Sequence, residues 1–200
     1  METTLEVRWF VKGTPSTAIQ HWFEHECLGE LLNDEPDRED LYAYGNQVGD
    51  YDVRDEAVNL KLRQGNPELK LRNARLGTYQ FENAQGDLVW TGKIERWTKF
   101  SQAQLNKSVL TGVRDKIEWL RVNKVRSQKI YRDVKSELTY LRVQGDRWWS
   151  LAFEMPQDDK DLNEQHLLQV VQQTAQTYPG FKLTADCSYS YSRWQTHFII

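Results

Sequence analysis

Charged residues spaced two apart in strand-like segments constrain this chain more than any other feature of its sequence. Lys61 and Arg63 alternate with Leu60 and Leu62, and Lys70 and Arg72 with Leu69 and Leu71. Glu6 and Arg8 alternate with Leu5, Val7 and Trp9, and Lys124 and Arg126 flank Val125. Successive side chains of a β-strand point to opposite faces, so each charged pair shares one face and the apolar residues take the other. Two arrangements satisfy this pattern. An antiparallel sheet with one wet face alternates in this way. A barrel whose apolar side is covered by helices turns the charged side inward, where converging cations need carboxylates or a polyanion to neutralise them. Glu6, Glu68, Glu137 and Glu154 lie on candidate strands and supply carboxylates for such an interior or for a divalent metal.

The rest of the chain reads as strands with two helices. A strand over 4–12 is broken by Gly13-Thr14-Pro15-Ser16, after which Ser16 caps a short helix carrying Ile19, Trp22, Phe23 and Cys27 and ending near Gly29. Asn33 to Asp40, acidic and containing Pro36, reads as an exposed loop. Strands around 58–63 and 68–72 are joined by the turn Gln64-Gly65-Asn66-Pro67, and further strands are expected at 76–82, 87–100, 117–123, 124–133, 137–144 and 147–155. Asp161 is the expected cap of a helix reaching about Tyr178, followed by Pro179-Gly180 and a final strand around 181–193. Eight or nine strands with two flanking helices favour a barrel or strongly curved sheet, with a sandwich as the alternative. The expected class is α+β, predominantly antiparallel β, in a single domain over residues 1–200.

Several functions lack their marks. The net charge of −3, from 26 basic and 29 acidic side chains, provides no global basic field for nucleic acid or an anionic membrane, so any anion site must be local. There is no phosphate-binding glycine loop, dinucleotide fingerprint or G-x-S-x-G elbow. His21-Trp22-Phe23-Glu24-His25 spells H-x-x-E-H, but the context lacks the long helix of the zinc proteases that use it, and surface or packing histidines are the plainer reading. No zinc is expected. Cys27 and Cys187 form no C-x-x-C pair and read as free thiols of a reducing compartment. No apolar run approaches the ~18 residues of a membrane span and the amino terminus resembles no signal peptide, so a cytoplasmic location is expected.

In chain order, Leu5-Glu6-Val7-Arg8-Trp9-Phe10, Leu60-Lys61-Leu62-Arg63, Leu69-Lys70-Leu71-Arg72 and Lys124-Val125-Arg126 resemble the CYTH superfamily of triphosphate tunnel proteins. That pattern opens with E-x-E-x-K, continues through L-R-x-R, a basic strand and K-x-R, and closes with E-x-E before a helix. Phe153-Glu154 stands where its last glutamate belongs. Segments such as Glu95-Arg96-Trp97, Arg147-Trp148-Trp149-Ser150 and Ser188-Tyr189-Ser190 are similar to those of an uncharacterised CYTH-like subgroup.

The resemblance implies a closed or nearly closed antiparallel barrel that binds a triphosphate or other phosphorylated small molecule. It assigns phosphate binding to Arg8, Lys61, Arg63, Lys70, Arg72, Lys124 and Arg126. Glu6 and Glu154 would hold Mg²⁺ or Mn²⁺ for hydrolysis. The chain departs from the pattern at Thr4 and Ala152, which replace two of its glutamates, and at Arg8, which replaces its lysine. Arg8 keeps a phosphate-gripping charge, whereas Thr4 and Ala152 offer no carboxylate. The alternative is therefore a non-catalytic binding or interaction module on the same fold. A β-barrel carrier of an apolar ligand, the third reading, requires apolar residues inside.

Overall fold

The computed structural model describes residues 1–32, 37–45, 47–113, 117–157 and 163–198. Eleven strands are present among them. They are β1 (Glu2–Lys12), β2 (Glu30–Leu31), β3 (Arg38–Tyr44), β4 (Gln47–Val48), β5 (Tyr51–Asp52) and β6 (Val58–Arg63), then β7 (Asn66–Glu82), β8 (Leu88–Phe100), β9 (Glu118–Tyr131), β10 (Val134–Val143) and β11 (Asp146–Pro156). Four α-helices accompany them: α1 (Thr17–His25), α2 (Lys107–Gly112), α3 (Glu164–Ala175) and α4 (Tyr191–Gln195).

Hydrogen-bonded pairing runs in the order β10-β11-β1-β8-β7-β6-β3-β9, and β9 pairs again with β10. The eight strands thus form a ring with all neighbours antiparallel, and β2 adds a short further pairing to β9. Tight two-residue turns hold consecutive members together. Gln64-Gly65, Arg132-Asp133 and Gln144-Gly145 all adopt positive φ, the backbone twist that a two-residue hairpin requires. Pro67 belongs to β7, opposite Leu62, rather than to the preceding turn.

The outer face of the ring carries the larger core. Leu5, Val7 and Trp9 of β1 join Trp90 and Ile94 of β8 and Trp149, Leu151 and Phe153 of β11. Helix α1 contributes Ile19, Trp22 and Phe23, while α3 adds Leu167, Val170, Val171 and Ala175. The caps explain where the helices start: Ser16 Oγ accepts from Ile19 N, and Asn163 Oδ1 accepts from His166 N. A separate apolar cluster covers Ala43, Leu60 and Leu69 with Val48, Val53 and Val109. With the aliphatic face covered, the charged face is left to the inside of the ring.

Several expectations change. Residues 38–40 form the start of β3, whereas 33–36 of the expected loop and the expected cap Asp161 lie outside the described residues. The segments expected at 117–123 and 124–133 are one strand, β9. Likewise 68–72 and 76–82 run together in β7, which stays paired with β8 through irregular register at Arg72/Ala74 and Arg75/Gly77. Bulges let a long strand bend without leaving its sheet.

The strand expected at 181–193 does not form. In that segment Leu183 bridges Trp90 and Ser188 bridges Trp9, with a 3-10 turn at Ala185–Cys187 between them, before Ser190 caps α4. Trp194 of α4 is wholly buried among Phe10, Tyr42, Leu120, Val122, Leu141 and Val143. Its ring stacks on Phe10 at 5.0 Å and 11°. The carboxyl-terminal segment thereby packs against the ring's inward apolar residues.

Candidate functional site

Eight strands contribute to one cavity of about 200 Å³. β1 supplies Glu6 and Arg8, β6 supplies Lys61 and Arg63, and β7 supplies Glu68 and Lys70. Lys124, Arg126 and Gln128 come from β9, Lys135 and Glu137 from β10, and Glu154 from β11. Arg38 and Tyr42 of β3, Trp97 and Lys99 of β8, and Ser190 and Tyr191 near α4 complete most of the wall. Nine lining residues are Lys or Arg and five are Glu. Positive charge is thus concentrated locally in a chain whose net charge is negative.

Four carboxylate centres organise these cations, one of them Glu68, which lies 3.3 Å from Lys61, 3.4 Å from Arg63 and 3.6 Å from Lys99. Glu137 accepts from Arg8 Nη1 at 2.9 Å, Arg126 Nη1 at 3.0 Å, Gln128 Nε2 at 2.8 Å and Thr139 Oγ1 at 2.8 Å. Burial would raise its carboxyl pKa, but Arg8 and Arg126 outweigh burial and hold the group well below the usual carboxylate range.

The second centre is Asp40, wholly buried on β3. Lys124 Nζ lies 3.2 Å from it, Lys61 Nζ and Arg38 Nε each 3.5 Å, and Arg63 Nε 3.8 Å. Burial would raise the Asp40 carboxyl as well, yet Lys124, Lys61, Arg38 and Arg63 keep it below its ordinary range. The lysines bear the reciprocal cost. Burial, reinforced by Arg63, lowers Lys61 to about 8, and burial drives Lys124 well below a usual lysine despite Asp40. Lys124 also donates to Tyr42 Oη and lies 3.8 Å from the centre of the Tyr191 ring, while the Arg8 guanidinium lies 4.9 Å from that ring centre.

The third centre is the Glu6 and Glu154 pair, directly opposed across β1 and β11. Lys70 Nζ stands 3.3 Å from Glu6 Oε2 and 3.7 Å from Glu154 Oε2. Burial and the charge of Glu154 raise the Glu6 pKa, whereas Lys70 and Arg8 overcome burial and lower that of Glu154.

These two glutamates are the residues to which the family pattern assigns a divalent metal. The donor set does not fit one: Lys70 already shares both carboxylates, and Thr4 and Ala152 supply none. Among the described residues no group of three His, Cys, Asp or Glu side chains is arranged to hold a metal ion.

Eight of the nine residues to which the resemblance assigns a role therefore line this cavity, Arg8, Lys61, Arg63, Lys70, Lys124, Arg126, Glu6 and Glu154, beside the candidate carboxylates Glu68 and Glu137. Arg72 does not. It donates to Glu95 Oε1 at 2.8 Å and lines a neighbouring cleft with Arg75, Lys93 and Arg193. Its position at the β7 irregularity is where the register with β8 shifts.

Sequence reasoning missed Asp40, Tyr42 and Tyr191. The alternation Arg38, Asp40, Tyr42 was available as a strand signal, but the acidic, proline-containing run before it favoured a loop. Tyr191 fell within the expected last strand and carries no local signature. His21 and His25 project from α1 as exposed side chains with ring centres 4.5 Å apart, near Glu26 and Glu24 respectively. Both cysteines are free, Cys27 buried and Cys187 half-buried.

No protein-family model and no curated protein matches the sequence. Among solved structures, the chain is similar to a conserved hypothetical protein from Pyrococcus furiosus, with 12% identity and a TM-score of 0.49, covering 95% of this chain and 98% of that one. It is also similar to a candidate adenylate cyclase from Bacillus halodurans, with 12% identity and a TM-score of 0.45 over 86% of this chain and 89% of that one. An RNA triphosphatase of S. pombe, solved in complex with the Spt5 CTD, gives 9% identity and a TM-score of 0.45 over 86% of this chain and 82% of that one. Among the described residues no helix is long and apolar enough to cross a membrane.

Proposed function

We propose that the chain binds a compact polyanion, an inorganic triphosphate or the triphosphate end of a phosphorylated small molecule, inside its strand ring. The observation that carries this reading is the convergence of nine cations and five carboxylates on one cavity. Cations forced together from separate strands repel one another, and an anion of high charge density relieves that repulsion. Arg8, Arg63 and Arg126 offer planar donors suited to phosphate oxygens, and Lys61, Lys70 and Lys124 add point charges. The volume of about 200 Å³ favours a phosphate chain over a whole nucleotide, because drug-sized ligands occupy roughly 300–1,000 Å³. The order of motifs resembling CYTH proteins supports the same chemistry, and we read the ring as their barrel.

Binding without turnover is the version this donor set favours. Hydrolysis in that superfamily would place Mg²⁺ or Mn²⁺ on a larger set of glutamates, whereas Thr4 and Ala152 leave Glu6 and Glu154, both facing Lys70. The chain's own groups hold and orient the anion: guanidiniums grip terminal oxygens, and Glu137 fixes Arg8 and Arg126 in place.

Calorimetric titration with inorganic triphosphate at low salt tests the proposal, beside a phosphate-release assay. Wild type should bind with an affinity that falls as salt rises, and Arg63→Ala should weaken it at least tenfold. Absence of binding at low salt rejects the reading. Rapid phosphate release would retain the ligand and reject the non-catalytic version.

A further inference from the structure

The family pattern places a metal at Glu6 and Glu154, yet the ring puts an ammonium there. Lys70 projects from β7 past the intervening β8 and reaches carboxylates on β1 and β11 together. The two carboxylates are register partners, so without a cation between them two anions would face each other in a largely desolvated wall. Residues two positions along the same strands provide no further carboxylate, because Thr4 precedes Glu6 and Ala152 precedes Glu154, and Glu95, the register partner of Glu6 on β8, is already engaged by Arg72 and Trp97. Arg8 and Lys135 add positive charge nearby, but Lys70 is the cation shared between the two carboxylates at ion-pair distance.

We infer that Lys70 replaces a divalent cation as the resident counter-ion of Glu6 and Glu154, so that anion capture by this cavity requires no metal. The metal-independence of capture rests on the proposed anion-binding function, whereas the replacement of a metal by Lys70 stands on the geometry alone. A divalent ion seeks oxygen donors at about 2.0–2.6 Å, and both carboxylates must leave the ammonium before they can provide them. Removing the ammonium leaves the two opposed carboxylates without the cation that lies between them. The same change then creates a place for a divalent ion and weakens the grip on phosphate. A site that used metal beside the lysine would already bind a divalent ion tightly in the wild type, through Glu154.

The test uses Mn²⁺ alone, followed by electron paramagnetic resonance, on wild type, Lys70→Met, Lys70→Gln, Glu154→Gln and the double variant Lys70→Met/Glu6→Gln. Wild type and Glu154→Gln should bind Mn²⁺ equally weakly. Lys70→Met or Lys70→Gln should bind one ion at least tenfold more tightly than wild type, and adding Glu6→Gln should abolish the gain. Tight binding by wild type that disappears in Glu154→Gln overturns the inference, as does a folded Lys70 variant without the gain. If neither Lys70 variant folds, the comparison of wild type with Glu154→Gln decides it. Separately, wild type in EDTA should still bind inorganic triphosphate. Failure there with the Mn²⁺ pattern as expected would reject the anion-binding reading while leaving the role of Lys70 intact.

Discussion

Lys124 Nζ lies 3.2 Å from Asp40 Oδ2, with the lysine side chain 2% exposed and the aspartate wholly buried. Asp40 also faces Lys61, Arg38 and Arg63, and among the described residues neither of its oxygens accepts a hydrogen bond of ordinary geometry. Asp40, with Glu68 on the far side of Lys61 and Arg63, thus holds together cations that would otherwise repel in a low-dielectric wall. An incoming polyanion meets cations already gathered, and it competes with Asp40 for them.

Asp40→Asn should therefore destabilise the ligand-free protein by about 3–5 kcal/mol, the scale for breaking a buried charge cluster. Inorganic triphosphate should restore part of that loss, because a ligand that binds only the folded state adds stability by mass action. Thermal melts with and without triphosphate measure both effects. A melting temperature unchanged from wild type would show that Asp40 does not hold the cluster.

The lowered pKa of Lys61, about 8 against an ordinary value near 10.5, gives a pH window with opposite signs for stability and binding. The unfolded chain binds the Lys61 proton more tightly than the folded one, so the Lys61 contribution to ligand-free stability rises from about pH 8 to 10. Triphosphate affinity should fall over that window as the ammonium is lost. Lys61→Arg, charged throughout, should reduce the slope of the affinity profile. Titrations at pH 7, 8 and 9 decide it, and identical slopes in both proteins would reject the assignment to Lys61.

Trp194 is predicted to act as an anchor for the carboxyl-terminal segment. Its indole is wholly buried and contacts the rings of Phe10, Trp148, Tyr191 and Phe198. Trp194→Ala should cost about 3–5 kcal/mol by urea denaturation, as large-to-small changes of buried aromatics do. A cost below 1 kcal/mol would mean that α4 contributes little to holding the fold.

Gly92 tests the packing outside the ring. A Cβ built there would lie 2.4 Å from Trp9 Cζ2 and 2.5 Å from Val7 Cγ2, both residues of the buried outer core. Gly92→Ala should cost about 1–3 kcal/mol through overpacking. Chemical denaturation checks this, and Gly86→Ala is a contrasting variant: its Cβ meets no atom within 4 Å, so any cost comes from its positive φ of 83° rather than from packing.

The sequence by itself determined which residues share a face. Period-two alternation assigned Lys61 and Arg63 to one side and Leu60 to the other, and the cap at Ser16 located α1. It also brought forward eight residues that meet in one cavity, because strand parity is a local property of the backbone. What it left undecided was which face is inside. A wet sheet and a strand ring have the same alternation, and only the return pairing of β9 to β10, with α1 and α3 over the apolar side, turns the charges inward. Tertiary structure likewise separated Arg72 from its neighbours at the shifted register of β7. It made Asp40 a central carboxylate and put Lys70 between Glu6 and Glu154, since each of these relations joins residues far apart in sequence through pairing and side-chain reach.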